Sequence, residues 1–372
     1  MSDNPVKFGS PAKVPAWVNL ALVPLVNLLA AFLLSGVVIL IIGDNPLQAM
    51  EVLLYGAFGY EEAIGYTLYY TTNFIFTGLA VAIAFHCGLF NIGAEGQAMI
   101  GGLGVGLVAL YFDALPFVLV VPIAIVAAAL FGGFWAAIPA YLQAKRGSHI
   151  VITTIMFNFI AASVMTYLLV EVLIAPGGQS PESREFAEHT WLPFFHDFLP
   201  LPESPLNISF LFAILLCGAF YYFVWQTRWG YEIRVTGQNE TAAKYAGISP
   251  AKSIILAMVI SGALAGFVGV NEILGVHHRL ILEFTGGFGF VGIAVALMGR
   301  NHPIGIFLAA LLFGALYQGG SELAFEMQNI NREMVIVIQG LIILFSGALE
   351  HMFRPTIENF FKKRASSPTV EA

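Results

Sequence analysis

Apolar runs of membrane-crossing length recur along almost the whole chain, and charged side chains are largely confined to the gaps between them. Few folds are open to such a chain, because in lipid each backbone N–H and C=O must be paired within a helix or a closed barrel. The windows Trp17–Ile42, Gly65–His86, Gln97–Phe112, Phe117–Leu142, Ile150–Ile174, Leu206–Gln226, Lys252–Leu274, Gly286–Met298, Pro303–Gly320 and Met334–Leu349 read as helical crossings. The expected fold class is therefore an all-α polytopic membrane protein with about ten transmembrane helices. Composition agrees: 58% of residues are apolar and 10% charged, with a mean hydropathy of +0.81, against ~25% charged in soluble domains.

Three windows are short. Gln97–Phe112 and Gly286–Met298 reach only roughly 20 to 24 Å at 1.5 Å per residue, and Pro303–Gly320 is marginal. Short, glycine-interrupted segments are the pattern of broken helices beside a transport path. The first run, Trp17–Ile42, is too long for a signal-peptide core and is followed by no small-residue cleavage site, so it reads as a retained anchor. The expected organisation is a polar tail over 1–16, one membrane domain over 17–350 and a basic tail over 351–372. Cys87 and Cys217 both fall in apolar runs and suggest neither a disulfide framework nor a metal site.

Positive charge orients the chain. With the N-terminus inside, all but Arg184, Arg279 and Arg332 of the 16 lysines and arginines fall on the inner side, the asymmetry that the positive-inside rule requires. Both termini are then cytoplasmic, and the short eighth window must cross.

Phe90-Asn91-Ile92-Gly93-Ala94-Glu95-Gly96-Gln97 lies between two apolar runs and carries a carboxylate, two amides and bend-forming small residues. Two readings fit it. An ionisable group at depth marks a functional site, with irregular backbone tolerated against protein or a water-filled cavity. Alternatively, it is a short surface loop with a solvated Glu95.

Two connecting loops are large. The outer one, Ala175–Pro205, is proline-rich and carries Trp191, Phe194, Phe195 and Phe198, which fits an interfacial aromatic belt or a docking surface for an outside partner. In the inner one, Thr227–Ala251, Asn239 is a helix N-cap, Glu240 suits the first turn and Gly247 the C′ position. Ser249-Pro250 then starts the next membrane helix with a cap and an N1 proline. The short capped helix is either a plain connection or a part shaped for a partner.

Several motifs fail on context. Gly287-Phe288-Gly289-Phe290-Val291-Gly292 spells GxGxxG without a βαβ unit and reads as close helix packing. Gly262, Gly266 and Gly269 form a small-residue stripe of the same kind. Gly247 to Ser253 lacks the spacing of a phosphate loop, so the chain has no ATPase motif of that type. His277-His278 is expected as a surface pair without a third metal ligand, and His86 as a hydrogen-bonder near a helix end. No catalytic constellation is evident and nothing suggests a nucleic-acid partner.

Three motifs carry a family resemblance. Gly88-Leu89-Phe90-Asn91-Ile92-Gly93-Ala94-Glu95-Gly96-Gln97 resembles the N-I-G-x-E-G-Q signature of permease subunits of bacterial ABC importers for nucleosides and simple sugars. Gly147 to Asn158, with His149, Thr153, Thr154 and Met156, resembles that family's G-x-H-x-V-x-x-T-I-M-x-N segment. Gly237 to Ile248 resembles its inner coupling loop. The likeness covers roughly Tyr66 to Gly320 and extends to the related branched-chain amino acid and ribose permeases.

The resemblance implies the vitamin-B12-importer-like (type II) ABC permease fold in the bacterial inner membrane. It also implies a second homologous permease, a separate ABC ATPase on the inner loops that supplies the ATP chemistry, and an extracytoplasmic binding protein. This chain would bind no cofactor or metal itself. The coupling residues are then Gly237, Asn239, Ala242, Ala243, Tyr245 and Gly247. For the substrate path the expected residues are Asn91, Glu95, Gln97, Thr153, Thr154 and Asn158, polar groups on apolar segments that hydrogen-bond a sugar or base, or alternatively bind helix to helix. A branched-chain amino acid or monosaccharide ligand stays open. So does a stand-alone ion-coupled transporter using Glu95 or Glu272.

Overall fold

The computed structural model describes residues 23–327, 329–330, 334–341 and 344. The tails 1–16 and 351–372, Arg332 and seven residues of the Met334–Leu349 window lie outside them. The chain forms α1 (Val23–Ile42), α2 (Pro46–Phe58), α3 (Glu61–His86), α4 (Ala94–Tyr111), α5 (Phe117–Arg146) and α6 (Ile150–Tyr167), the last continued by a π-helical turn, Leu168–Val172. There follow α7 (Ser209–Gln226), α8 (Arg228–Gln238), α9 (Glu240–Tyr245), α10 (Pro250–Gly266), a π-helical segment Val270–His277, α11 (Phe288–Met298) and α12 (Pro303–Glu326). Among the described residues β structure is limited to the isolated bridges Glu182–Ile281 and Phe194–Asn207. The protein is an all-α polytopic membrane protein.

Six described helices are long and apolar enough to cross a membrane, and up to seven if Leu29–Ile42 and Pro46–Phe58 count as one broken span. Pro303–Gly320, expected as marginal, is a 24-residue helix that runs on to Glu326. Conversely α11, with 11 residues, spans only about 16 Å. Two helices were not expected. α2 carries Gln48 and Glu51 and so fails an apolar-window test, and α8 is an amphipathic helix started by Thr227, whose Oγ1 accepts from Gly230 N at 3.1 Å.

The described residues divide into two compact units, one from 23–51 with those from 323 onward, the other Val52–Glu322. In the first, Asn329 Nδ2 donates to Asp44 Oδ1 at 3.1 Å. The second has α3, α4 and α10 at its centre, buried along most of their length. α5, α6 and α7 surround them and expose broad apolar faces. Burying helices on all sides requires close backbone approach. Along α10 the stripe supplies it: a Cβ on Gly262 would lie 2.8 Å from the Gly132 carbonyl carbon of α5, and one on Gly269 the same distance from Gly102 N of α4. α5 ends at Gly147 in the left-handed conformation (φ 70°), with Lys145 and Arg146 in its last turn, where cations favour the helix dipole.

The outer loop is pinned rather than loose. Ser183 N and Phe186 N donate to the Leu280 and His278 carbonyls at 2.9 and 2.8 Å, and Leu192 N to that of Leu274 at 3.0 Å. Two cations expected outside are paired with acids: Arg184 with Asp113 at 2.7 Å, Arg279 with Glu182 at 3.4 Å.

Candidate functional site

The Phe90–Gln97 turn joins α3 to α4, and its polar side chains point into protein. Asn91, Glu95 and Gln97 are all buried, which removes the surface-loop reading with a solvated Glu95. Asn91 folds the turn on itself: its Oδ1 accepts from Gly93 N at 2.9 Å, and its Nδ2 donates to Gln97 Oε1 at 2.9 Å and Ser261 Oγ at 2.8 Å. Ser261 in turn donates to the Ala80 carbonyl at 2.5 Å. The turn is thus tied to α10 and α3.

Glu95 acts one turn further on. Its Oε1 accepts from Thr285 Oγ1 at 2.5 Å and Gly287 N at 3.0 Å, and its Oε2 from Gly289 N at 2.8 Å. Gly287 is the N-cap of α11, so the carboxylate sits on the positive end of that helix, where an anion is favoured. Gly289 permits the approach, because a Cβ there would lie 2.5 Å from Glu95 Cα. Asn158 of α6 clamps the same turn, accepting from Gly96 N at 2.9 Å and donating to the Ile92 carbonyl at 3.0 Å.

Thr154, buried, donates to the Val151 carbonyl at 3.1 Å, and Thr153, half-buried, to that of His149 at 3.0 Å. Asn91, Glu95, Gln97 and Asn158 therefore form one constellation, whereas the two threonines bond within α6. Ser261 and Thr285, its other members, lie 170 or more residues from Asn91 and Glu95 in glycine-rich stretches with no signal of their own.

At the inner loop, Asn239 Oδ1 accepts from Ala242 N at 2.9 Å and caps α9. Gly247 takes a left-handed conformation (φ 77°), and Ile248 N donates to the Ala243 carbonyl at 2.9 Å. Ala243 is fully buried and anchors the helix, while Tyr245 is 90% exposed. Gln238 to Ala242 and Lys244 to Gly247 are exposed with it. Gly237 abuts the backbone of His86 to Gly88, at the entry to the Asn91 turn. Ser249 stands at the N-cap of α10 but makes no side-chain cap bond; Pro250 takes the first turn as expected.

Residues 63–347 match the family described as branched-chain amino acid transport system / permease component. The chain belongs to this permease family. It is 36% identical over 326 residues to the guanosine ABC transporter permease protein of Bacillus subtilis, covering 87% of this chain and 92% of the other. To the nucleoside ABC transporter permease protein of Lactococcus lactis it is 35% identical over 333 residues, covering 87% and 90%. To the glucose ABC transporter permease protein of Haloferax volcanii it is 34% identical over 366 residues, covering 96% and 95%. No solved structure matches significantly. The protein is thus a membrane permease component rather than an enzyme.

The permease holds a second buried polar network. Asn207 Nδ2 and Ser209 Oγ donate to Asn271 Oδ1 at 2.9 and 2.7 Å, Asn271 Nδ2 to Asn73 Oδ1 at 3.0 Å, and Asn73 Nδ2 to Glu272 Oε1 at 2.6 Å. Glu272 also faces His277 at 3.3 Å. His278 is not the surface residue expected: it is buried, stacked on Trp191 with ring centroids 3.8 Å apart. Burial, with His277 and Arg279 nearby, pushes its pKa down to about 4. His86 hydrogen-bonds the Asn301 carbonyl at 3.0 Å.

Proposed function

We propose that this permease is the transmembrane subunit of an ABC importer that carries nucleosides across the bacterial cytoplasmic membrane, with both termini on the inner side. It forms the path with a second, similar permease, receives ligand from an extracytoplasmic binding protein, and is driven by a separate ATPase that binds the ATP. The observation that carries the reading is 35–36% identity, over most of both chains, to two permeases named for nucleosides. Family membership alone does not identify a substrate. A simple sugar is the second reading, favoured by the glucose permease that matches nearly end to end.

The inner loop fits a drive train. α9 offers a projecting exposed face with Tyr245 at its end and one buried anchor, Ala243. A push on it reaches the Asn91 turn through the backbone contact of Gly237 with His86–Gly88. Of the proposed path residues, Asn91, Glu95, Gln97 and Asn158 are bonded to protein and act by fixing the entry to α4; Thr153 and Thr154 stand beside them on α6.

The test is uptake of labelled guanosine by proteoliposomes holding the whole complex. Tyr245→Ala should remove an interface anchor of about 2 kcal/mol, and Gly247→Val should strain the turn by about 1–2 kcal/mol. Both should leave the permease folded and lower ligand-stimulated ATP hydrolysis. Uptake by the single chain on an ion gradient without ATP would overturn the reading and direct attention to Glu95 and Glu272.

A further inference from the structure

The faces that α5 and α6 turn outward differ in chemistry. α5 exposes Val118, Ile123, Val126, Leu130 and Phe134, side chains suited to lipid. Along the second half of α6 and its π-helical turn, the exposed row is Phe159, Ser163, Thr166, Tyr167, Val170 and Glu171. With Ala162 these residues line a shallow, open groove along the helix. Among the described residues no ion pair involves Glu171. A carboxylate on the face of a span is expensive against hydrocarbon and belongs where it meets water or a polar ligand.

We infer that this outer half of α6 is a sugar-ring site on the translocation path, taking the vicinal diol of a ribose or hexose. Glu171 accepts hydrogen bonds from the two hydroxyls, as a carboxylate does from ribose in dinucleotide sites. Ser163 and Thr166 donate to the Phe159 and Ala162 carbonyls, each at 2.9 Å, so their free lone pairs accept further hydroxyl protons. Phe159 and Tyr167, both more than half exposed, offer aromatic faces to the C–H side of the ring. None of these side chains belongs to the Asn91–Glu95 constellation, so the site is separate from the residues that fix α4. The inference rests on the function proposed above.

The experiment compares labelled guanosine with labelled 2′-deoxyguanosine, which lacks the ring's vicinal diol, and follows labelled glucose beside them, in proteoliposomes of the complete complex. Glu171→Ala should slow the diol-bearing substrate about tenfold, the loss expected when a charged hydrogen-bond partner is removed. The deoxy analogue should be slowed less, so that the wild-type preference narrows, while Glu171→Gln keeps part of it. Unchanged rates and preference in both Glu171→Ala and Ser163→Ala/Thr166→Val, with subunits co-purifying as in wild type, would overturn the site. Should a variant not assemble, Ser163→Cys in a Cys217→Ser background decides: saturating guanosine or glucose should slow labelling by a membrane-impermeant thiol reagent, and undiminished labelling sinks the inference. A wild-type complex that carries neither substrate instead fells the proposed function, and the sugar site with it.

Discussion

Glu95 receives three donors and returns none, which makes its charge state and shape hard to replace. Glu95→Gln keeps the volume but turns an amide N–H₂ toward an N–H or O–H donor. A loss of about 1–3 kcal/mol in stability is expected for a buried donor left unpaired, read as a lower unfolding temperature in detergent; Glu95→Ala should lose more. Asn158→Leu removes one donor and one acceptor from the same turn and should fall in the same range. At His278 the sign runs with pH. Its Nε2 is buried without a hydrogen-bond partner, and the groups facing it are Trp191 and Phe194, with His277 and Arg279 as like charges and His196 behind Phe194. The native pKa of about 4 lies below the unfolded value near ~6.5. The stabilisation is therefore complete above the unfolded value and is lost as pH falls from there toward 4. The protection factors of the amides of Phe186 and Leu192, which bond to the His278 and Leu274 carbonyls, should fall across that window as the pH is lowered. His278→Phe, which keeps the stack, should flatten the dependence.

Helices in this protein meet where side chains are missing. Gly262 on Gly132 and Gly266 on Gly101 bring α10 against α5 and α4, so Gly262→Val should overpack the contact by about 1–3 kcal/mol and reduce the folded yield. Gly132→Val should do the same from the α5 side, and the double variant should fall short of additive because both open one seam. Elements governed by local chemistry were legible in the sequence: α9 follows from Asn239 and Gly247, and the start of α10 from Pro250. Less legible were α2 and α8, whose polar residues hide them from an apolar window. The π-helical segment Val270–His277 was read as the tail of a continuous span, because a change in helical pitch leaves the same apolar composition.

At the scale of the whole molecule, the all-α membrane architecture could be read from hydropathy, and the placement of lysine and arginine sets an expected sidedness. What holds the candidate site together could not. Asn91, Glu95 and Asn158 stood out as polar groups in apolar surroundings, but their partners Ser261, Thr285 and Gly289 are ordinary residues brought near only by tertiary packing. The sidedness itself is open to a direct check. A cysteine at Gln238 should react with an impermeant reagent only in inside-out vesicles, and one at Ser180 only in right-side-out ones, both in a Cys217→Ser background; the reverse pattern would invert the topology.

The bonds from Glu95 to Thr285, Gly287 and Gly289 join positions 190 to 194 residues apart, and the Asn73–Glu272 pair spans 199. Chains grow from the N-terminus at ~5–20 residues per second. For on the order of ten seconds or more after Glu95 leaves the ribosome, its carboxylate and the glycine-rich α4 have no final partners. During that interval the first half of the protein is an unfinished insertion intermediate, sheltered by the insertion machinery rather than by its own packing. Nascent chains stopped before Thr285 should be cleared by membrane proteases, and chains extended past α11 should survive.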